Sequence, residues 1–405
     1  MQWSTPVKKE FNLKVLLILS LGHLTVDIYQ GALPATLPFI KDKLDLSYAL
    51  AGLILVAANM ASSILQPVFG YLSDRKAMPM LLPMGLLAAG TGFSMIMIPA
   101  HFALVLFLVV ISGLGVASYH PEGYKTAHFF TGERSATGMS IFSVGGNLGF
   151  SLGPILALSL IGYLGAPALP LILVPALVST VVILAYRRTV AAPLVSHSEA
   201  VRKTKTRTTT DAYVALCLVI FIVIMRSWTQ LGLMTYIPFY YINVLKGNPL
   251  FAGKLVSVFL ACGALGTLLG APLADRWGYR FFVRLSMFLS TVTLPLFFLP
   301  AVQNSILIFF VLGLQGVFLV ATFSVTIVMA QKILPHKLGV ASGLLVGFAI
   351  GTGGIGVTLL GIVADRFGVP AALQSIMIIP LVGFIASLFL REGEEEESSP
   401  AGIKR

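Results

Sequence analysis

The strongest constraint on this chain is a series of apolar runs, each long enough to cross a lipid bilayer. A spanning helix needs about 20 apolar residues, and such runs recur throughout the 405-residue sequence. The composition agrees, because 57% of the residues are hydrophobic and only 11% are charged. Continuous apolar runs satisfy their backbone hydrogen bonds inside a bilayer by forming helices. We therefore predict an all-α protein that lies in a lipid bilayer.

The apolar runs predict twelve transmembrane helices. They are residues 13–40, 46–72, 78–99, 102–128, 135–163, 167–186, 212–242, 251–274, 281–301, 304–331, 338–364 and 370–390. Most lysines and arginines fall after the even-numbered runs and near the two ends of the chain. Basic residues of this kind stay on the cytoplasmic side of a membrane. We therefore expect a multi-pass protein of the inner cell membrane with both termini in the cytoplasm.

An internal repeat divides the chain into two halves. At an offset of about 200 residues, Gln30 matches Gln230, and Asp74-Arg75 matches Asp275-Arg276. A polar stretch separates the halves, and we expect it to be a flexible linker. The predicted parts are an N-terminal six-helix bundle (1–186), a cytoplasmic linker (187–211), a C-terminal six-helix bundle (212–390) and an acidic cytoplasmic tail (391–405). Two such repeats place a binding site at the midplane between them.

The charge and the cysteines exclude other classes of protein. The formal net charge of +11 comes from residues between the apolar runs, so we expect no nucleic-acid partner. Cys217 and Cys262 lie within apolar runs and indicate neither a disulfide frame nor a metal site. The sequence has no H-E-x-x-H pair, and its G-F-S-L-G run at 149–153 lies inside an apolar span rather than at the strand-to-helix turn of a nucleophile elbow. We therefore predict no bound metal, no cluster of metal ligands and no enzyme activity.

Three ionisable residues interrupt the fourth apolar run. Glu122 and Lys125 are three residues apart and can pair, whereas His120 points to a different face from Glu122. Pro121 lacks the N–H that would reach the carbonyl of Ala117, so the helix is loosened beside the acid. A charge at the bilayer centre costs about 2.5–3.5 kcal/mol, so such residues line a bundle interior or a watery cavity. The stretch indicates a functional site, and a static pair of Glu122 with Lys125 is the alternative.

The first and seventh runs carry further polar residues. His23 and Asp27 are one helical turn apart, with Gln30 close to the same face. A carboxylate beside an imidazole can carry a proton near neutral pH, and a structural hydrogen bond between helices is the alternative. Arg226 lies one position from the repeat equivalent of Asp27, and its planar guanidinium suits phosphonate, phosphate or carboxylate groups. Neutralisation of a buried acid is the equally weighted alternative for this arginine.

A loop motif closes both the second and the eighth run. Gly70 begins the first copy, which ends in Asp74-Arg75, and the second copy ends in Asp275-Arg276. The motif G-x-L-x-D-R resembles the loop signature of the major facilitator superfamily. The resemblance implies that the acids pair across a cytoplasmic gate and that the glycine permits close helix packing. Helix ends whose charges reach the membrane surface are the alternative.

The fifth run carries glycines at four-residue spacing. They are Gly145, Gly149 and Gly153, and Pro154 follows them. Small residues at this spacing let helix backbones approach closely. The run also resembles a signature associated with antiporters of the same superfamily, so packing alone and a role in exchange both remain open.

Four blocks of the first half resemble the fosmidomycin resistance protein family. They are His23-Leu24-x-x-Asp27-x-x-Gln30, Ala61-Ser62-Ser63-Ile64-Leu65-Gln66-Pro67, His120-Pro121-Glu122 and Ser140-Ile141-Phe142-x-Val144-Gly145-Gly146-Asn147. The resemblance implies a proton-driven exporter of a small phosphonate antibiotic or a related compound. By that resemblance Asp27, Glu122 and His120 carry the protons, while Arg226 and Lys125 meet an anionic substrate.

The predicted site extends to neighbours of these residues. His23 joins the proton-coupling group, and Gln30, Tyr119 and Asn147 join the substrate group. We expect a monomer that needs no cofactor and whose partners are protons, a small molecule and the bilayer. An uptake symporter for an organic anion is the closest alternative, because residues alone do not fix the direction of transport. A membrane-embedded enzyme and a sensor are weaker alternatives.

Overall fold

The computed structural model describes residues 11–46, 48–203, 210–245, 249–303, 305–349 and 351–390. Regular structure within these ranges is helical, apart from one isolated antiparallel bridge between Phe11 and Thr131. The acidic tail predicted for residues 391–405 lies outside them. An all-helical fold is what long apolar segments require, because each helix satisfies its own backbone in lipid.

The first half of the chain forms one bundle. Its helices are α1 (Leu13–Leu44), α2 (Tyr48–Ile64), α3 (Gln66–Arg75), α4 (Leu81–Ser94), α5 (Phe102–His128), α6 (Ser135–Leu164), the 3-10 segment Ala166–Leu173 and α7 (Val174–Ala185). A proline stands in the first turn of α3, where its missing N–H costs no helical hydrogen bond. This position explains why α2 and α3 are separate helices.

The second half forms the other bundle. Its helices are α9 (Thr210–Phe239), the π-helical turn Tyr240–Val244, α10 (Pro249–Trp277), α11 (Tyr279–Thr293), the 3-10 segment Leu294–Phe298, α12 (Pro300–Gln303), α13 (Leu307–Val320), α14 (Phe323–Ile333), α15 (Leu338–Ser342), the π-helical segment Gly343–Ala349, α16 (Gly353–Phe367), α17 (Val369–Ser375) and α18 (Ile378–Leu388).

Eleven helical segments among the described residues are long and apolar enough to cross a membrane. They correspond to eleven of the twelve predicted spans, with boundaries that differ by several residues. The remaining predicted span, 78–99, contains the shorter apolar helix α4, which has 14 residues. The chain is thus an all-α membrane protein built from two six-helix bundles.

The segment between the bundles differs from the prediction of a flexible linker. It begins as helix α8 (Arg187–Lys203), and residues 204–209 lie outside the described part of the chain. Leu194 of α8 is 1% exposed and packs with Phe129 of the first half and Leu338 of the second. Val190 of the same helix is also 1% exposed and packs in the main core, so the polar composition concealed two apolar anchors. We call the end of the molecule where α8 lies the linker end.

The glycines of the fifth span bring α6 against α1. Each faces a main-chain carbonyl oxygen of α1, in the pairs Gly145 with Ser20, Gly149 with Leu24 and Gly153 with Ile28. A Cβ on any of these glycines would collide with that oxygen, so only glycine allows this approach. The side chain of Pro154 lies outside the described part of the structure. The close contact fixes the position of α1 relative to α6.

A substitution in α6 tests this packing. We expect Gly149→Ala to lower the thermal unfolding temperature of the purified protein in detergent, because the added methyl group meets the Leu24 carbonyl. Overpacking of this kind costs about 1–3 kcal/mol. Gly162→Ala, in the same helix, is the matched control because a Cβ there meets nothing within 4 Å. Equal unfolding temperatures for the two variants would contradict the packing role.

Candidate functional site

Three polar side chains from two helices meet in the first bundle. The His23 Nε2 lies 3.4 Å from the Asp27 Oδ2, one turn along α1. The His120 Nε2, from α5, lies 3.0 Å from the other carboxylate oxygen of Asp27. The predicted proton-coupling residues of α1 and His120 thus form one cluster around a single carboxylate.

The orientation of His23 determines which of its ring nitrogens faces the carboxylate. The Nδ1 of His23 lies 3.0 Å from the carbonyl oxygen of Phe142, to which it donates because a carbonyl can only accept. A neutral His23 therefore presents a bare Nε2 to the carboxylate, and a protonated His23 presents an N–H. Its ring stacks on that of Phe142, with centroids 4.4 Å apart, which holds this orientation.

The cluster is nearly enclosed by protein. The side chain of Asp27 is 13% exposed, whereas those of His23 and His120 are 3% and 4% exposed. Gly146 covers the pair on α1, because a Cβ there would collide with atoms of both His23 and Asp27. Asp27 is thus the member of the cluster with the most access to the space outside it.

The cluster corrects one sequence-based expectation. One ligand atom from each of His23, Asp27 and His120 lies within 4.8 Å of the others. The sequence predicted that no cluster of metal-ligating residue types would form, and it missed this one because His120 lies 93 residues from Asp27 along the chain. At these distances, an N–H on the Nε2 of either histidine points to a different oxygen of Asp27.

Glu122 belongs to a second cluster, closer to the linker end. Its Oε2 lies 2.9 Å from the ammonium of Lys125, as the three-residue spacing predicted. The same ammonium donates to the carbonyl oxygen and to the hydroxyl of Ser73 in α3, both at 2.8 Å. Three oxygens therefore surround a group with three N–H donors. Lys125, predicted to meet substrate, is engaged inside the protein in this structure.

Several buried polar groups have no hydrogen-bond partner among the described residues. Among them are the Nε and Nη1 of Arg226 and the Nδ2 of Asn147, while the hydroxyls of Tyr124 and Ser143 have only each other. Arg226 is 2% exposed, and its guanidinium lies over the ring of Phe323, 5.0 Å from the centroid. It makes no ion pair with Asp27 or Glu122 in the described structure. The counter-ion alternative is therefore not realised in this conformation.

These unpartnered groups come from both bundles. Tyr124 and Ser143 face each other on α5 and α6, and Asn147 lies one turn beyond Ser143 on α6. Arg226, on α9, interacts electrostatically with Tyr124. Tyr124 and Ser143 were not among the predicted site residues, although the four-residue spacing indicates that Ser143 and Asn147 share a face of α6.

The other predicted substrate residues have different surroundings. Gln30 is half-buried on α1. The hydroxyl of Tyr119 donates to the carbonyl of Leu19 at 2.8 Å, which joins α5 to α1. Tyr119 is therefore engaged in packing between helices.

Two acids of the repeated loop motif join the bundles at the linker end. Asp74 accepts hydrogen bonds from the backbone N–H groups of Gly339 and Val340, both at 2.9 Å. Asp275 accepts from the N–H groups of Ala136 and Thr137, at 3.0 and 2.8 Å. Each acid meets the second and third residues of a helix in the opposite bundle. A carboxylate at that place satisfies free N–H groups and complements the helix dipole.

The remaining motif residues surround these contacts. A Cβ on Gly70 would collide with the backbone of Gly339, so this glycine lets α3 approach α15. The guanidinium of Arg75 lies over the ring of Tyr71, 4.4 Å from its centroid, and Arg276 is exposed. We call the contacts of Asp74 and Asp275 with the opposite bundle the two latches.

The fold and its paired loop motifs define the class of this protein. The sequence model of the Major Facilitator Superfamily matches residues 19–254 and residues 216–405. The chain therefore belongs to this superfamily of multi-pass membrane transporters.

Two relatives cover nearly the whole chain. An uncharacterized MFS-type transporter of Bacillus subtilis (strain 168) is 34% identical over 379 residues, which are 92% of each chain. The Fosmidomycin resistance protein of Escherichia coli (strain K12) is 28% identical over 402 residues, 97% of each chain. The similarity to this second protein agrees with the resemblance seen in the four sequence blocks.

Solved structures share the fold at low sequence identity. The transporter FucP in its outward conformation matches with a TM-score of 0.72 and 16% identity, covering 94% of this chain and 99% of that one. The human organic anion transporter MFSD10 matches with a TM-score of 0.70 and 17% identity, covering 92% and 98%. These matches establish the architecture of two bundles.

The latches give a prediction about conformation. We expect Asp74→Asn or Asp275→Asn to separate the bundles at the linker end, because a hydrogen bond to a charged group contributes about 1.5–3 kcal/mol. Spin labels at Lys76→Cys and His336→Cys, in a background without Cys217 and Cys262, measure this separation.

The same labels provide the control. Asp45→Asn removes an exposed acid outside both latches and is expected to leave the distance distribution unchanged. Unchanged distributions for both latch variants would show that these contacts do not hold the linker end closed.

Proposed function

We propose that this protein exports a small polar or anionic compound in exchange for protons, by alternating access. The observation that carries the proposal is that buried donor atoms of Arg226 and Asn147, in opposite bundles, lack partners beside the hydroxyl pair of Tyr124 and Ser143. Buried polar groups normally have partners. A ligand that binds between the bundles would supply them.

The residue types at this place favour an anion. The guanidinium and the side-chain amide nitrogen only donate, and the two hydroxyls can donate as well. A phosphonate, phosphate or carboxylate offers several acceptor oxygens and suits the planar fork of Arg226. The relative named Fosmidomycin resistance protein supports a phosphonate antibiotic as one such compound and supports export as the direction.

The acid clusters supply the proposed proton coupling. Asp27, with His23 and His120, has access to the outside of its cluster, whereas Glu122 is fully buried beside a latch. Protonation of these acids changes the charge of a low-dielectric site and so biases one conformation over another. No covalent step is part of this cycle, so we propose a transporter without enzyme activity or a cofactor.

The orientation in the membrane completes the proposal. The basic residues lie mainly at the linker end, so we place that end and both termini in the cytoplasm of a cell with this protein in its inner membrane. The two latches then close the cytoplasmic side, which corresponds to an outward-facing state. We expect a monomer, because each chain contains both bundles.

The closest alternative keeps the fold and reverses the direction. A proton-coupled uptake symporter for an organic anion would use the same residues, since a coupled cycle can run either way. Growth on fosmidomycin separates the two hypotheses, because loss of the gene lowers tolerance if the protein exports the compound and does not lower it if the protein imports the compound.

A reconstituted system tests the proton assignment. We expect Asp27→Asn, in liposomes with an imposed pH gradient, to reduce gradient-driven fosmidomycin transport by more than about tenfold, because the amide cannot exchange a proton. Exchange of labelled for unlabelled substrate, without a gradient, is expected to persist. Asp45→Asn is the control for loss of one acid. Gradient-driven transport at the control level would refute the role of Asp27.

A binding measurement tests the anion site. We expect Arg226→Lys to weaken fosmidomycin binding by at least about tenfold, because lysine keeps the charge but loses the planar fork. Arg226→Met is expected to weaken binding further, and Arg366→Gln, at an exposed arginine, serves as the control. Calorimetry on purified protein measures these affinities. Equal affinity in the Arg226 variants and the control would remove Arg226 from the site.

A further inference from the structure

A single cation lies between two buried acids at the linker end. The ammonium of Lys125 is 2.9 Å from the Oε2 of Glu122. On its other side it holds the carbonyl and hydroxyl oxygens of Ser73, each at 2.8 Å. Ser73 directly precedes Asp74, the acid of the first latch. All four residues are buried, with exposures of 4% or less.

Glu122, Lys125, Ser73 and Asp74 form a buried layer at the linker end. The charges of this layer do not balance when both Glu122 and Asp74 are ionised. Glu122 interacts with Lys125 of its own helix and with Ser73 and Asp74 of α3. Asp74 interacts with Lys125 and also with Lys337, which precedes α15. Lys337 is exposed to solvent, so the buried part of the layer contains two carboxylates and one ammonium. Excess charge in a buried layer is unfavourable, and one proton on Glu122 removes it.

We propose that Lys125 and Ser73 are positioning residues that transmit the protonation state of Glu122 to the Asp74 latch. This inference rests on the proposed function, because it gives the coupling protons a route to the gate. When Glu122 carries a proton, the ammonium of Lys125 interacts with Ser73 and with the ionised Asp74 only, and this favours the closed latch. When Glu122 is ionised, the same ammonium must compensate two carboxylates. The buried negative charge then favours a conformation in which water reaches these residues.

The second latch has no such element in the described structure. The residue before Asp275 is Ala274, which offers no hydroxyl. Near the end of α14, the position that corresponds to Lys125 is Ala330, and next to it stands the uncharged Gln331, whose Oε1 lies 2.8 Å from the Nδ1 of His128 in the first bundle. The Nε2 of Gln331 donates to the Tyr124 carbonyl at 3.2 Å and to the Ser342 hydroxyl at 3.0 Å. At the second latch the hydroxyl of Tyr279 donates to Asp275 at 2.9 Å, and the ammonium of Lys332 lies over the Tyr279 ring, 4.6 Å from its centroid. In the described structure, only the first latch is joined through a buried ammonium to a second buried acid.

The test measures the opening of the linker end as a function of pH. The spin-label pair at Lys76→Cys and His336→Cys is used in the full-length protein, in detergent or nanodiscs and without substrate. We expect the wild-type background to pass from short to longer distances as the pH rises. Glu122→Gln, which imitates the protonated acid, is expected to stay closed throughout the same range.

The lysine variants carry the decisive comparison. We expect Lys125→Met to reduce the pH-dependent change in the ratio of closed to open molecules by at least about tenfold, since the link between the acids is gone. Ser73→Ala removes only the hydroxyl contact and is expected to give an intermediate response. Lys125→Arg keeps the charge and is expected to restore the response. Asp275→Asn is expected to open the linker end without changing its pH dependence.

Two outcomes overturn the inference. One is a pH response in Lys125→Met equal to that of the background, and the other is an open linker end in Glu122→Gln at low pH. If the elution profile shows that Lys125→Met does not fold, Ser73→Ala is compared with Lys125→Arg instead. The proposal is overturned if both of these variants show the same pH-dependent change of distances as the wild-type background. Proton-driven transport, assayed separately, tests the proposed function: its absence with an intact distance response contradicts that function alone.

Discussion

Buried charge needs compensation, and the described structure supplies it from the protein itself. Lipid offers no hydrogen bonds, so each ionised side chain inside the bundles depends on neighbours for its stability. Asp27 has two histidines, Glu122 has a lysine, and the latch acids have the free N–H groups of helix starts. Arg226 stands apart, because its Nε and Nη1 lack partners. The arrangement leaves one cationic place for an anion to complete.

The two acid clusters differ in their exposure to the space outside the protein. The Asp27 cluster lies between α1, α5 and α6, and the side chain of Asp27 is 13% exposed. The Glu122 cluster lies beside the first latch and is sealed. α5 carries residues of both clusters, together with Tyr124 of the proposed anion site. A movement of α5 would therefore change both acid clusters, the proposed anion site and the surroundings of the first latch at the same time.

The sequence predicted the fold well because lipid restricts it so strongly. Apolar length and basic loops give the spans, and the repeated motif gives the two halves. Local pairs followed from helical spacing, as for His23 with Asp27 and Glu122 with Lys125. Contacts between helices did not follow, because no spacing rule joins His120 to Asp27 or Lys125 to Ser73. The helix α8 was missed for a similar reason, since its anchor Leu194 is apparent only beside Phe129 and Leu338.

The stack of α6 glycines on α1 carbonyls sets limits on how the bundle can move. The pairs repeat every four residues on both helices, so a partial slide would drive an α-carbon into an oxygen, and the next fitting position is about one turn, or 5.4 Å, away. Helices in such a register travel together. Asp27 and the surface of α6 that covers it are therefore expected to move as one rigid unit when the bundles change conformation. In the proposed exchange, a proton bound at Asp27 would keep the same surroundings throughout the transport cycle.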